Sequence, residues 1–271
     1  MASGLLADQI ATPDGKRRYV RSLFATIADR YDFITVALSY GQDRRWKRRL
    51  VRMASPRPGT RALDLATGTG DIAAACAERG ASVIGLDITF RMIEIAKTKS
   101  GSLGSLGARG ALGSNGALGT AEPEPRAPRA PREPRAPAFL VADMLALPFP
   151  SASFDLVTTG YGLRNVPNLT LAIDEIHRVL KPGGRLLSLD FNRPSNAIVR
   201  GAYLAYLTTV GGALGWALHR DPDTYRYIPA SIRQYPGAEA VARLMHSRGF
   251  ARASYHPVLG GLMAIHDGVR D

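Results

Sequence analysis

Short apolar segments alternate with amphipathic segments along most of this chain. The apolar segments predict strands, and the amphipathic segments have the spacing of helices. The predicted strands are 61–65, 82–87, 139–142, 154–159 and 185–190, and the predicted helices are 71–79, 90–99 and 170–180. Continuous apolar strands that are separated by helices are typical of a parallel sheet with helices on both faces. The pattern therefore predicts an α/β fold with ligands at the carboxyl ends of the strands.

The pattern changes near the C-terminus, where two strands follow one another directly. A helix is predicted at 239–247, and strands are predicted at 253–258 and 262–266. Gly260 and Gly261 lie between these strands and predict a tight hairpin. We therefore expect a Rossmann-like sheet that is mostly parallel and ends in an antiparallel hairpin.

The segment 100–137 differs in composition from the rest of the chain. Its first half is rich in glycine, serine and alanine, and its second half is rich in proline and arginine. Such a segment buries too little apolar surface to offset the conformational entropy lost on ordering, so we expect a disordered insertion. About 230 of the 271 residues then remain in the whole chain, which suits one domain, and its α/β part is expected at 56–271. Residues 1–55 are predicted to form a helical cap that precedes this domain.

The turn after the first strand contains Gly68, Thr69 and Gly70 and indicates a ligand site. Glycines let the backbone approach a ligand closely, and the following helix directs its amide groups at the same place. The spacing also matches the G-x-G-x-x-A dinucleotide fingerprint. Asp64 and Asp71 flank the turn, and their charge would repel a pyrophosphate but attract an ammonium and a sulfonium. We therefore expect S-adenosylmethionine rather than a dinucleotide.

Residues at the next two strand ends predict partners for the rest of that cofactor. Asp87 ends the second strand, where a carboxylate can accept hydrogen bonds from both hydroxyls of a ribose. The hydroxyl and the amide of Thr69 are expected close by. Asp143 ends the third strand and is expected to accept from an adenine amino group, while Met144 packs on the ring. Met92 either contacts adenine or fills the core.

The formal net charge of +12 comes in large part from the run 44–52, in which Trp46 and Leu50 stand four positions apart. A solvated helix, a helix on an anionic membrane surface and a nucleic-acid contact all stay open as interpretations. No RNA-binding signature accompanies the run, so we predict no nucleic-acid partner. The five histidines have no metal-binding spacing, and we expect no metal. Cys76 is expected to be a buried structural thiol, and the absence of a secretory pattern predicts a cytoplasmic protein.

Several motifs give the chain a resemblance to class I S-adenosylmethionine-dependent methyltransferases. They stand at 64–71, 147–150, 162–166 and 178–185. The chain is more closely similar to the quinone C-methyltransferases, which act on demethylmenaquinone or on polyprenyl-methoxy-benzoquinol. This closer resemblance rests on 161–166, on Tyr31-Asp32 with Trp46-Lys47, and on 225–227 through 231–232. It covers roughly residues 18–268 apart from the insertion, and Gly-Leu-Arg-Asn-Val at 162–166 is more specific than Leu-Lys-Pro-Gly-Gly at 180–184.

The resemblance implies C-methylation of a polyprenyl quinol ring, with S-adenosylmethionine as methyl donor. Demethylmenaquinol is the expected substrate, and the methoxy-benzoquinol precursor of ubiquinone is the alternative. Arg164 is expected to stabilise developing oxyanion charge, and Asn165 to orient a hydroxyl or a water, as catalytic residues. Tyr161, Arg164 and Tyr227 are expected to bind the substrate.

Gly160 departs from the sequences that this chain resembles, and Arg164 has a second possible role. Gly160 is expected beside the cofactor, at a place where related sequences often carry a serine, so a hydroxyl contact is missing there. Arg164 has a structural alternative, which is an ion pair with Asp155 or Asp190.

An uncharged segment follows the sheet and predicts the entrance for the apolar part of the substrate. Residues 201–218 carry no charge, and their apolar side chains recur at helical spacing. The segment is long enough for a membrane span, but Gly211, Gly212 and Gly215 interrupt it. We therefore expect a lid-like segment at 197–235, with a pair of core helices as the alternative. Peripheral contact with the inner face of the membrane and a homodimer stay open.

Other features of the chain bear on two alternative classes of protein. A nicotinamide-dependent oxidoreductase would use the G-x-G-x-x-A match at 68–73. A nucleic-acid methyltransferase would carry an Asn/Asp-Pro-Pro-aromatic run after the fourth strand, where this chain has Thr158-Thr159-Gly160-Tyr161.

Overall fold

The structure is a computed structural model that describes Leu6 and residues 8–108, 136–194, 196–221 and 224–271. Seven strands form one sheet in the order β3-β2-β1-β4-β5-β7-β6. The strands are β1 Arg61–Leu65, β2 Ser82–Asp87, β3 Ala138–Val141, β4 Phe154–Gly160, β5 Leu180–Phe191, β6 Phe250–Val258 and β7 Met263–Arg270. The first five strands are mutually parallel. β7 runs antiparallel to both β5 and β6, which confirms the predicted C-terminal hairpin.

Helices surround this sheet and contribute to two hydrophobic clusters. The helices are α1 Pro13–Ile27, α2 Tyr31–Leu38, α3 Asp43–Ala54, α4 Asp71–Ala77, α5 Phe90–Ala108, α6 Leu169–Val179, α7 Ala197–His219, α8 Tyr227–Gln234 and α9 Ala238–Ser247. One cluster holds apolar residues of α6 and α9, and the other holds apolar residues of α3 and α4. Leu186 and Leu187 on β5 belong to different clusters, as the alternation of side chains along a strand requires. The predicted α/β sheet with helices on both faces is therefore confirmed.

α7 is continuous, so the expectation that its glycines interrupt it is wrong. Gly211 and Gly215 are buried on the inner side of this helix. A Cβ on Gly211 would lie 3.3 Å from the Cβ of Tyr225, so the glycine allows the chain around Tyr225 to approach α7 closely. By length and composition α7 could cross a membrane, with a mean hydropathy of 1.2 and only 11% of its most apolar window buried.

Two other elements are longer than predicted. β5 begins at Leu180 rather than at residue 185, because Leu180 pairs with Phe154 before the register shifts. α5 continues beyond Lys99 to Ala108, inside the segment 100–137 that was predicted to be disordered. Extending a helix adds one hydrogen bond per residue without a new nucleus, so even serine and glycine can follow a formed helix. Residues 109–135 of that predicted insertion lie outside the described residues.

β3 begins beside the middle of β2 and runs toward the carboxyl ends of the strands. Ala138 opens β3 beside Ile84, whereas Val141 pairs with Asp87 at the carboxyl end of β2. The ligand spaces described below lie at the carboxyl ends of the strands. β3 therefore begins on the amino-terminal side of those ends.

Deletion of 109–135, with a short glycine and serine linker in its place, should change neither the melting temperature nor the affinity for S-adenosylmethionine by more than experimental error. The reason is that β3 begins at Ala138, on the amino-terminal side of the strand ends that line the pocket. Thermal unfolding and isothermal titration calorimetry on the full and shortened chains measure both quantities. A clear loss of cofactor affinity in the shortened chain would show that the segment contributes to the site.

Candidate active site

Two cavities lie side by side at the carboxyl ends of the strands. The first, here called the strand-end pocket, is lined by residues that follow β1, β2, β3 and β4. Its wall includes most of the positions predicted to bind the cofactor, which are Gly68, Asp87, Met92, Asp143, Met144 and Gly160. The second, here called the apolar cavity, is lined mainly by α1, α2, α7 and α8 and has a volume of about 670 Å³. Phe24, Tyr31 and Tyr161 line both spaces.

Asp64 holds the glycine turn against the sheet. Its side chain is buried, and it accepts hydrogen bonds from the hydroxyls of Thr67 at 2.6 Å and Thr158 at 2.7 Å. Burial raises the pKa of Asp64 to about 6, although both hydroxyls favour the charged form. Asp64 lines a small space beneath the turn rather than the strand-end pocket. Asp64 therefore holds the turn through these two contacts, and its role in cofactor binding stays a prediction.

Asp87 lies at the base of the strand-end pocket and is held by two backbone amides. Gly68 N donates to its Oδ2 at 3.0 Å, and Thr89 N donates to its Oδ1 at 2.8 Å. Burial raises the pKa of this carboxyl. Each oxygen still has a second lone pair, so the group can accept two ribose hydroxyls in a fixed orientation. Gly68 has a φ of 55°, which places its amide toward Asp87.

An ion pair lies in the wall of the strand-end pocket where adenine is predicted to bind. Arg17 on α1 donates to Asp143, which also accepts from Leu145 N at 2.9 Å. Met92 and Met144 are almost fully buried yet line the same pocket, so Met92 belongs to the core, and its contact with adenine stays a prediction. Arg17 therefore competes for the carboxylate that was predicted to meet an adenine amino group.

Asp71 does not supply a free negative charge to the site, contrary to the sequence interpretation. Lys47 and Lys99 contact its two oxygens at 3.0 and 2.7 Å. Burial opposes ionisation of Asp71, but the two lysines outweigh it and lower its pKa to about 2. The hydroxyl of Thr69 donates to Asp32 at 2.6 Å and accepts from Lys99 at 3.1 Å. Thr69 lies beneath the turn, and its hydroxyl already has partners within the protein.

Gly70, which precedes α4, and Gly160, which ends β4, have different neighbours. A Cβ on Gly70 would lie 3.1 Å from Phe139 and 3.3 Å from Ala96, so Gly70 serves packing and lines neither cavity. Gly160 lines the strand-end pocket, and a Cβ there would lie 2.8 Å from Ile72 Cδ1. Ile72 therefore fills the space that a serine at position 160 would need.

Arg164 lies at the inner end of the apolar cavity and is 4% exposed. Its Nε donates to Asp190 Oδ1 at 3.3 Å, its backbone N donates to Asp190 Oδ2 at 3.0 Å, and its guanidinium also donates to the hydroxyl of Ser231. The guanidinium carbon lies 4.8 Å from the centre of the Phe191 ring. The ion pair between Arg164 and Asp190, which was the structural alternative for this arginine, is thus present. Asp155 is instead bound by Lys181, so that part of the alternative is wrong.

Asn165 and Tyr227 each present a buried polar atom that has no partner among the described residues. Asn165 lines the strand-end pocket, and its Nδ2 donates to the carbonyl of Tyr161 at 2.8 Å. This bond fixes the amide, and the atom without a partner is Oδ1. The hydroxyl of Tyr227 is likewise without a partner, and its side chain lines the apolar cavity. Unpaired buried polar atoms are costly, and a bound ligand can supply the missing hydrogen bonds.

Tyr161 separates the two cavities. Its φ of 62° is unusual for a residue with a side chain, and such strain often accompanies a functional position. Its hydroxyl donates to Asp43 Oδ1 at 2.7 Å, and burial raises its pKa well above the ordinary value. Sequence reasoning missed Asp43, because an acidic residue in the first turn of a helix is usually explained by the helix dipole. The available signal was a lone acid at the start of a strongly basic helix.

Within the described part of the chain, no group of three histidine, cysteine, aspartate or glutamate side chains is arranged to hold a metal ion. Cys76 is buried, and burial raises its pKa to about 12.

The basic residues of α3 differ in exposure. Lys47 is mostly buried and lies between Asp43 and Asp71. The exposed arginines of α3 include Arg44 and Arg48.

Solved structures of similar fold define the fold class. The magnesium protoporphyrin IX methyltransferase from Synechocystis, solved with bound S-adenosylmethionine, aligns with a TM-score of 0.58, covering 94% of this chain and 97% of that one at 18% identity. A methyltransferase from Thermotoga maritima aligns with a TM-score of 0.59, covering 93% of this chain and 100% of that one at 16% identity. The fold is therefore that of the class I S-adenosylmethionine-dependent methyltransferases.

Sequence relatives narrow this class. A model of the ubiE/COQ5 methyltransferase family matches residues 12–118 and 133–270. The demethylmenaquinone methyltransferase of Thermus thermophilus is 38% identical over 250 residues, which cover 92% of this chain and all of that protein. The ubiquinone/menaquinone biosynthesis C-methyltransferase of Teredinibacter turnerae is 34% identical over 262 residues, which cover 94% and 92% of the two chains. The chain belongs to the ubiE/COQ5 methyltransferase family.

Membership of this family makes the protein an enzyme that uses S-adenosylmethionine, and it removes the nicotinamide alternative. The strand-end pocket fits that cofactor. Asp87 offers a fixed carboxylate for a ribose, buried methionines offer an apolar surface for a purine, and Asn165 Oδ1 lacks a partner. The assignment of individual residues to parts of the cofactor stays a prediction.

Replacement Asp87→Asn should weaken S-adenosylmethionine binding roughly 10- to 100-fold, because it removes a charged acceptor worth about 1.5–3 kcal/mol. Asp155→Asn is the matched control, since Asp155 accepts from Arg61 N and Lys181 at the opposite end of β4. Isothermal titration calorimetry gives the two dissociation constants, and thermal unfolding verifies the fold. Equal affinities in Asp87→Asn and the unmodified protein would remove Asp87 from the ribose site.

Proposed function

We propose that the enzyme methylates a ring carbon of a polyprenyl quinol and that demethylmenaquinol is its substrate. The observation that carries this proposal is the apolar cavity of about 670 Å³ that shares a wall with the strand-end pocket. The names of the relatives add support, since they describe demethylmenaquinone and ubiquinone/menaquinone methyltransferases. A ligand in this cavity would lie next to the strand-end pocket at Phe24, Tyr31 and Tyr161, which line both spaces.

The lining of the apolar cavity fits a ligand with a polar head and a hydrocarbon tail. Most lining side chains are aliphatic or aromatic, for example Leu23, Ile34 and Leu207. Charged side chains occur at two lining positions only, Arg164 and Asp43, among the residues that the structure describes. A prenyl tail would bury its apolar surface against the aliphatic wall, while the quinol oxygens would lie near the charged groups.

The residues around the ring have separable roles in the proposed reaction. S-adenosylmethionine supplies an electrophilic methyl group when it is bound. Arg164 is held in place by Asp190 and Phe191, and its positive charge stabilises the negative charge that develops on a quinol oxygen. Asn165, fixed by the Tyr161 carbonyl, orients a hydroxyl or a water with its free Oδ1. The enclosed position of both reactants favours reaction by proximity.

The direct test incubates the purified full-length protein with S-adenosylmethionine and reduced demethylmenaquinone in detergent micelles. We expect mass spectrometry to detect a product heavier by one methyl group in place of one hydrogen, with the new group on the ring carbon. A parallel reaction with 2-polyprenyl-6-methoxy-1,4-benzoquinol tests the alternative substrate. Intact binding of S-adenosylmethionine with no product from either quinol would contradict the proposed function.

We further propose that the protein is cytoplasmic and contacts the inner face of the membrane with the rim of the apolar cavity. Exposed apolar residues that line this cavity include Ile198, which is 83% exposed, Tyr40, which is 76% exposed, and Leu259. Arg44 and Arg45 are exposed and follow directly after the lining residue Asp43. Apolar side chains flanked by arginines are typical of surfaces that bind anionic bilayers.

α7 fits such a peripheral contact better than a membrane span. One side of the helix packs inside the protein through Leu207, Gly211 and Gly215, whereas Trp216 is 69% exposed. A helix with one face in the protein and one face outward can lie at the surface of a bilayer. Because a polyprenyl quinol resides in the membrane, contact at the rim would let the tail enter without crossing water.

The double replacement Arg44→Glu/Arg45→Glu should weaken binding to vesicles that contain anionic lipid at least roughly tenfold, since each arginine contributes about 1 kcal/mol. Co-sedimentation with vesicles of neutral and of mixed neutral and anionic lipid measures the binding. Arg243→Glu is the matched control, because Arg243 is exposed on α9 and pairs with Glu239. If the double variant and the control bind anionic vesicles equally, the arginines of α3 are not part of a membrane contact.

A further inference from the structure

Methylation at a ring carbon leaves a proton that must be removed, and this step needs an acceptor near the ring. The ring carbon uses a π electron pair to bond the methyl carbon, while the S–C bond breaks and its electrons stay on the sulfur. The methylated carbon then still carries its hydrogen. Aromaticity returns only when the C–H bond breaks and its electrons re-enter the ring. The released proton therefore requires a base in the apolar cavity.

Asp43 is the only carboxylate that lines the apolar cavity among the described residues, and no described histidine or lysine lines it. The side chain is 2% exposed overall, so it is shielded from bulk water. Its position follows from the start of α3, where Asp43 N donates to the hydroxyl of Ser39 at 3.1 Å. The carboxylate thus projects from a fixed helix end into the cavity wall.

Two hydrogen bonds fix the Asp43 carboxylate. The hydroxyl of Tyr161 donates to Oδ1 at 2.7 Å, and Lys47 Nζ contacts Oδ2 at 2.7 Å. A carboxylate has about four acceptor positions, so two remain after these contacts. Tyr161 lines both cavities, and its contact with Asp43 therefore places the carboxylate beside the wall where the two reactants meet.

The other titratable groups of this region are unsuited to accept the proton. The tyrosines that line the cavity are neutral acids, and burial raises the pKa of Tyr31, Tyr203 and Tyr227 further above its ordinary value. The Arg164 guanidinium carries only hydrogen-bond donors and has no lone pair that could accept a proton. Asp190 is fully buried behind Arg164 and does not line the cavity.

We propose that Asp43 accepts the ring proton after methyl transfer, an inference that rests on the quinol methylation proposed above. The C–H electrons return to the ring, the proton moves to a free oxygen lone pair of Asp43, and the acid so formed loses this proton to water when the product leaves. No oxidant or reductant takes part. A carboxylate is a sufficient base for this step, because loss of the proton restores the aromatic ring.

Tyr161 and Lys47 act as positioning residues for this carboxylate. Lys47 also contacts Asp71, so it keeps one anionic partner when Asp43 is replaced by a neutral residue. This second contact makes Asp43→Asn a variant that should retain the fold. Asparagine has nearly the same shape as aspartate, and its amide can still contact the Tyr161 hydroxyl, but it is not a base.

The decisive experiment compares demethylmenaquinol carrying hydrogen or deuterium at the reacting ring carbon. In the unmodified enzyme we expect methyl transfer to limit turnover, so the two substrates should react at the same rate. In Asp43→Asn, turnover should fall about 100-fold or more, and a primary isotope effect should appear because proton removal now limits the rate. Affinity for S-adenosylmethionine, measured by calorimetry, should stay unchanged.

Two further variants test whether Asp43 acts as a base or only as a structural residue. Tyr161→Phe removes the hydroxyl but leaves the carboxylate, so a lower rate without a ring isotope effect is expected. Asp174→Asn removes a carboxylate that pairs with Arg248 far from the site and should behave like the unmodified enzyme in every assay. If Asp43→Asn retains the rate, or loses rate without any isotope effect, Asp43 is not the proton acceptor. If the unmodified enzyme methylates neither quinol, it is the proposed function that fails.

Discussion

Lys47, which is mostly buried, and Lys99, which is partly exposed, hold the N-terminal helices against the cofactor side of the sheet. Both ligand spaces depend on these two lysines. Lys47 bridges Asp43 of α3 and Asp71 of α4, while Lys99 bridges Asp32 of α2 and the same Asp71. A carboxylate at the start of a helix thus receives two cations from elsewhere in the chain. Because α2 and α3 supply walls of the apolar cavity, these contacts set where the substrate space meets the glycine turn.

Most of the sheet could be predicted from the sequence, because its strands are continuous apolar runs with polar ends. β1 and β2 have the predicted bounds, and the C-terminal hairpin turns at the expected glycines. Helix ends were less predictable. The continuity of α7 depends on Tyr225, which lies beside Gly211 only in the folded protein, so local sequence could not show that these glycines serve close approach.

The residues at the strand ends of the candidate site could be predicted from the sequence, but the ion pairs of the site could not. Asp87 ends β2 and lines the pocket, as its position in the sequence predicts. Asp71 was misinterpreted, because its partner Lys47 comes from a helix 24 positions earlier. Asp43 was missed for a similar reason, since its contact with Tyr161 joins residues 118 positions apart. Ion pairs between distant segments leave no local pattern in a chain.

Phe24, Tyr31 and Tyr161 each face both cavities, and this shared wall links the two binding equilibria. Any shift of these rings when one space fills changes the shape of the other. Thermodynamic linkage then requires the effect to be reciprocal, so a quinol that tightens cofactor binding must itself bind more tightly when the cofactor is present. The demethylated cofactor would act on the same rings, and the wall would thereby couple release of one product to release of the other.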